Sequence, residues 1–164
     1  MLSSELYPAA PVWTLINELY WMANKLLERR LYALEISVSQ ARVLVIVKER
    51  QPVKPSLIAL LLFQETQSIT GILHRIETKG WIERVPDPND RRAIGLQLTR
   101  AGQEIVEKVL AQAKDLNHVL FSVLTKPEQQ SALKALKKIR SRGFEMPETD
   151  FKLRRASLHE VWST

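Results

Sequence analysis

ETQSITGILHRIETKG (65–80), followed by WIERV (81–85), PDPNDRR (86–92) and AIGLQLT (93–99), is the stretch whose reading decides the fold. Ile69, Ile72, Leu73 and Ile76 recur at i, i+3, i+4 and i+7, which is one apolar face of an α-helix. The opposite face carries Gln67, Gly71 and His74, flanked by Thr70 and Arg75. Glu65 and Thr66 are candidate N-caps, and Gly80 stands where the chain leaves a helix in the left-handed conformation. The two β-type runs at 81–85 and 93–99 enclose a segment rich in Pro, Asn and Asp, which predicts a hairpin with Arg91 and Arg92 at its tip. A helix with a short polar face joined to a basic hairpin predicts a mainly α fold with a small β-hairpin wing, a winged helix-turn-helix.

Outward from this stretch the chain reads as helices. Before it, apolar residues from Val12 to Leu31 keep helical spacing and predict a long amphipathic helix over 12 to about 34, preceded by an extended arm at 1–11 containing Pro8 and Pro11. Ser37 and Gln40 form a capping box for a second helix to about residue 49, whose apolar run 43–47 should be central. Pro55 opens a third helix running through the apolar segment 57–63. After the hairpin, Thr99 caps a helix from 100 to about 124. Thr125 and Glu128 then open a last helix to about 142, with Leu133, Leu136 and Ile139 inward and Gly143 as its stop.

Composition narrows the function. With 164 residues, 45% hydrophobic and 26% charged, the chain has the make-up of one ordinary globular domain. A net charge of +6 favours a polyanionic partner. The absence of cysteine excludes disulfides, thiolate metal sites and a thiol redox switch, and suits a cytoplasmic protein. No leader peptide and no apolar run long enough to span a bilayer is read in the sequence, so no membrane partner is expected. His74, His118 and His159 lie on separate elements, so no metal site is expected, and no cofactor. No nucleophile with its base, no paired carboxylates and no phosphate-cradling loop appear at catalytic spacing, so the chain does not read as an enzyme.

Glu77, Lys79-Gly80, Glu83-Arg84, the run 86–92 and Leu98-Thr99 resemble the MarR family of bacterial transcriptional regulators. The wing signature carries most of the resemblance: Asp90 and Arg92, then five intervening residues, then Leu98 and Thr99. The resemblance implies a DNA-binding lobe over about 36–100, a helical dimerisation region at 12–34 and 101–142, and a C-terminal tail at 143–164. It implies that Arg92 enters the minor groove while Asp90 orients the loop by pairing within it. From the residues themselves, Gln67 and Thr70 suit base edges, and Ser68 at the helix start suits a phosphate. Arg91 and Arg75 are further phosphate contacts, and Gly71 and His74 complete the candidate DNA face.

The long apolar faces of the first, fifth and sixth helices exceed what the middle of the chain can cover, which predicts a homodimer on a pseudo-palindromic operator. The resemblance implies a repressor released by a small, often aromatic or phenolic, ligand bound between dimer core and DNA-binding lobe, for which Tyr20, Trp21, Met22, Arg42 and His118 are candidates by position. Two departures from the family stand out. Gly71 replaces a larger, often basic residue, and Leu60, Leu61, Leu62 and Phe63 replace charged residues and the glycine of the turn before the reading helix. These departures motivate an alternative, a winged-helix protein-interaction module that does not read DNA.

Overall fold

The computed structural model describes residues 11–87 and 90–145. Helix α1 spans Pro11–Leu31 and continues as a 3-10 turn, Tyr32–Leu34. Pro11, expected in an arm, is instead the first residue of the helix, where its missing N–H costs nothing. Helix α2 (Val38–Arg50) starts on the expected capping box: Ser37 Oγ accepts from the Gln40 amide at 3.2 Å and Gln40 Oε1 accepts from the Ser37 amide at 3.0 Å. Helix α3 (Pro55–Leu61) leads through a tight turn into α4 (Thr66–Thr78). Strands β1 (Ile82–Asp87) and β2 (Asp90–Leu98) follow, then α5 (Arg100–Phe121) and α6 (Lys126–Glu145).

The core is the aliphatic set that the helical spacing picks out. Val43, Leu44 and Val47 of α2, Ile58 of α3, Ile69 and Ile76 of α4, Leu96 of β2 and Val106 of α5 are wholly or almost wholly buried. The apolar run before α4 is mostly absorbed here: Ile58, Ala59 and Leu61 are buried and Leu60 and Leu62 half-buried, leaving Phe63 exposed. The α3–α4 turn does without the family's glycine. Phe63 itself takes the left-handed conformation, φ 54°, a position that costs a non-glycine residue about 1–2 kcal/mol. Gly80 has φ 69°, as its place after α4 requires.

The hairpin is longer than its composition suggests. Ile82 pairs with Leu98 and Arg84 with Leu96, and pairing continues to Asp87 opposite Asp90. Arg91 and Arg92, expected at the tip, have their backbone in β2, at an irregularity of the ladder: between Pro86 opposite Ile94 and Asp87 opposite Asp90 the register shifts, so residues 91–93 are extra on the β2 side. A reciprocal pair of bonds between Val53 and Leu96 (3.0 and 2.9 Å) adds a third edge beside β2.

Two expectations for α6 are corrected. Gly143 does not stop the helix, which runs on to Glu145. Leu133, Leu136 and Ile139 do not face inward: each is about half exposed, and no residue of α6 is buried. At the start of α6 both the amide and the hydroxyl of Thr125 donate to Glu128 (2.7 Å each), and these bonds, the hydroxyl's first, hold the Glu128 carboxyl below its usual range. Among the described residues no single helix is long and apolar enough to cross a membrane. Residues 1–10 and 146–164, including most of the expected tail, lie outside the described residues.

Candidate nucleic-acid interface

Helix α4 is anchored on one side and bare on the other. Ile69 and Ile76 are fully buried and Ile72 and Leu73 nearly so, while Gln67, Ser68, Thr70, Gly71, His74 and Arg75 are all exposed. The structure thus gathers the six candidates of the helix on its solvent side. Thr70 Oγ1 donates to the Thr66 carbonyl (3.0 Å), so its proton is used within the helix and its oxygen remains an acceptor. Glu65 is the N-cap but makes no side-chain capping bond. A β-carbon on Gly71 would meet nothing within 4 Å, so this position is open to whatever approaches the helix.

The hairpin is tied to α4 by contacts that join its first strand to the end of the helix. Arg84 on β1 grips Glu77 on α4 with both ends of its guanidinium, Nε to Oε1 at 2.8 Å and Nη2 to Oε2 at 3.3 Å. Gln97 donates to its cross-strand partner Glu83 at 2.7 Å. Lys79 lies over the Trp81 ring, 4.5 Å from its centroid, and donates to the Glu35 carbonyl at 2.6 Å. Behind the hairpin, Thr99 donates its amide to Trp81 O (3.1 Å) and its hydroxyl to Gly80 O (2.5 Å), and accepts from the Gly102 amide (3.0 Å). The lock of Arg84 on Glu77 was present in the sequence only as opposite charges seven residues apart, with the helix end between them. The side chains of Asp90, Arg91 and Arg92, and residues 88–89, lie outside the described residues.

Away from this face, part of the expected effector set comes together. The Arg42 guanidinium donates to Asn24 Oδ1 (2.5 Å) and Tyr20 Oη (3.4 Å) and lies 5.7 Å from the Tyr20 ring centre, while Trp21 meets Tyr20 edge-on at 5.5 Å. Met22 and His118 stand exposed on α1 and α5, outside these contacts. Arg42 also borders a cavity of about 410 Å³ between α1, α2, α3 and α5. Its walls are Leu27, Val45, Ile46, Leu61, Leu62, Val109 and Leu110, with Arg42 and Glu49 as charged members. Sequence reasoning missed these wall residues because helical spacing reads them as ordinary core. Among the described residues no cluster of three or more His, Asp or Glu could hold a metal ion.

A three-helix lobe whose last helix shows a polar face, followed at once by an antiparallel hairpin, defines a winged helix-turn-helix protein. The model of the MarR family matches residues 36–94. Over 130 residues the chain is 31% identical to the multiple antibiotic resistance protein MarR of Escherichia coli K12, covering 79% of this chain and 90% of that protein. It is 32% identical over 126 residues to the transcriptional repressor MprA of the same organism, covering 74% and 72%. A crystal structure of a mutant E. coli MarR complexed with operator DNA matches with a TM-score of 0.73 at 30% identity, covering 85% of this chain and 98% of that one. The chain belongs to the MarR family.

Proposed function

We propose that this protein is a sequence-specific double-stranded-DNA-binding transcriptional regulator. It is a repressor that binds a pseudo-palindromic operator as a homodimer in the cytoplasm. The observation that carries the reading is the two-sided character of α4: a fully buried Ile69–Ile76 stripe holds a solvent-facing row of Gln67, Thr70, Gly71 and His74 in place beside a hairpin locked on by Arg84. Gln67 and Thr70 read base edges, Ser68, Arg75 and Arg91 hold phosphates, and Arg92 of the wing enters the minor groove, with Asp90 setting the wing loop. Residues 36–100 form the reading lobe, and α1, α5 and α6 the dimerisation region. The complex of E. coli MarR with operator DNA supports this reading.

The dimer follows from exposed apolar surface. Val12, Leu15, Leu19 and Met22 of α1 and Leu133, Leu136 and Ile139 of α6 are each about half exposed, apolar faces on both helices that a two-fold partner would cover. The cavity beside Arg42 is the place for a small aromatic anion: apolar walls take a ring and the guanidinium takes a carboxylate or phenolate. Binding there favours a spacing of the two reading helices that mismatches the operator. Of the run Leu60–Phe63 that motivates the protein-interaction alternative, Leu61 is buried and Leu60 and Leu62 half-buried, which weakens that motive, while Phe63 stays exposed.

The test is a salt titration of binding to duplex DNA from upstream of the protein's own gene. A DNA reader loses affinity along a straight line in log[salt], and Arg92→Ala lowers the slope by about 1 while weakening binding. An affinity independent of both salt and Arg92 would refute the reading.

A further inference from the structure

The α3–α4 connection is a Schellman turn with an aromatic residue in its glycine position. The Gln64 amide donates to Ala59 O at 3.0 Å and the Phe63 amide to Leu60 O at 3.2 Å, the two bonds that define the turn, and Phe63 carries the positive φ of 54°. A bulky side chain at that φ is an outlier and persists only where its surroundings over-determine the backbone. The structure supplies such a surrounding from a distant part of the chain. The ring of Phe144, in the last turn of α6, stacks on the ring of Phe63 with centroids 6.3 Å apart and planes 7° from parallel. Phe144 is half-buried on a helix that has no fully buried residue. On one side of Phe63 lie Leu61 and Leu62, which line the cavity; on the other, α4 begins three residues later.

We propose that the Phe63–Phe144 stack is the contact by which α6 fixes the α3–α4 turn and so sets the angle at which α4 is presented. Phe144 is a positioning residue: it reaches the DNA face only through Phe63. The turn is then bordered by the ligand cavity and by the end of the dimerisation helix, so a displacement of either is felt at the start of α4. This inference rests on the reading of α4 as the DNA-reading helix.

The test uses the full-length protein and a duplex recovered from a random pool by selection on the wild-type chain. Phe144→Ala is expected to weaken binding about two- to tenfold, with the dimer retained and the melting temperature lowered by about a few degrees, the usual worth of an aromatic pair. Phe144→Tyr restores binding, and Phe144→Leu, which keeps apolar bulk without a ring, does not. Phe63→Gly relieves the backbone and melts higher, yet binds as weakly as Phe144→Ala, and the double variant is no weaker than either single one. With a merely structural contact binding would instead follow stability in every variant, so that Phe63→Gly would bind no more weakly than the parent. Unchanged affinity in Phe144→Ala, losses that multiply in the double variant, or a loss that tracks dimer dissociation in sedimentation overturns the proposal. Hydrogen exchange needs no DNA: Phe144→Ala should speed exchange in the first turn of α4 and leave α5 unchanged. Unaltered exchange there overturns the proposal even if no duplex is recovered, whereas failure to recover a duplex counts against the DNA-reading function alone.

Discussion

Replacing Gly102 with alanine tests the joint that holds the wing to the rest of the fold. Helix interiors favour alanine over glycine by up to about 1 kcal/mol, so on propensity alone the change should stabilise the protein. The structure reverses the sign. A β-carbon built on Gly102 would lie 1.8 Å from Trp81 O and 2.8 Å from Trp81 C, backbone atoms that no side-chain rotation can clear. An ordinary C···O contact is about 3.3 Å, so α5 and the strand entry must part by about 1.5 Å. That separation breaks the Thr99 amide's bond to Trp81 O and strains the Thr99 hydroxyl's bond to Gly80 O, each worth about 1 kcal/mol, on top of overpacking of about 1–3 kcal/mol. The net expectation is a loss of about 2–4 kcal/mol. Gly71→Ala is the internal control: it is helical too, with nothing within 4 Å, and should gain up to about 1 kcal/mol. Urea unfolding followed by circular dichroism, at matched protein concentration because the stability of the proposed dimer would depend on it, reads both changes. Equal signs for the two variants, or a Gly102→Ala protein as stable as the parent, would refute the packing described at this joint.

Other substitutions probe other levels of the argument. Ser37→Ala removes one half of the α2 capping box and should cost about 1 kcal/mol in the same assay, with the far-ultraviolet spectrum unchanged. Leu136→Asp puts a charge on the uncovered face of α6 and should turn the proposed dimer into a monomer in sedimentation equilibrium, with the proposed operator binding lost alongside it. Glu107 accepts from Gln103 at 2.7 Å and pairs with Lys48 at 3.4 Å, which together hold its carboxyl below the ordinary value. Its contribution is therefore present above the ordinary carboxylate pKa and lost as pH falls through the lowered one. Glu107→Gln should flatten the stability–pH curve slightly in that acidic window, with a small loss of stability at neutral pH that vanishes below the window.

Where local chemistry decides, the chain could be read directly. The stripe Ile69, Ile72, Leu73 and Ile76 fixes which side of α4 is buried, and so which side is left for Gln67, Thr70 and His74. Ser37 with Gln40, and Thr99 before α5, cap helices because their hydroxyls reach the first free amides, a matter of three residues. The hairpin was legible in kind but not in length. Composition at 86–92 favours a turn, yet Pro86 pairs opposite Ile94 and Asp87 opposite Asp90, with a register shift between them that composition does not reveal. The cavity walls were not legible because Val45, Ile46 and Leu62 carry no chemistry that separates a wall from a core.

The glycines carry the sharper lesson. Gly143 was expected to end α6 and does not, while Phe63 adopts the left-handed turn that glycine usually provides. Glycine marks where a left-handed residue is cheap; tertiary structure decides where one is needed, and the aromatic stack of Phe63 on Phe144 is such a decision. The same reasoning applies to Leu133, Leu136 and Ile139. Helical spacing correctly groups them on one face, but it says nothing of which molecule covers that face. Within one chain they stay half exposed, and in the proposed dimer it is the second chain that covers this side of α6. If that cover is the partner's equivalent helices, the position of α6 is set by the dimer, and through Phe144 the dimer in turn sets the start of α4.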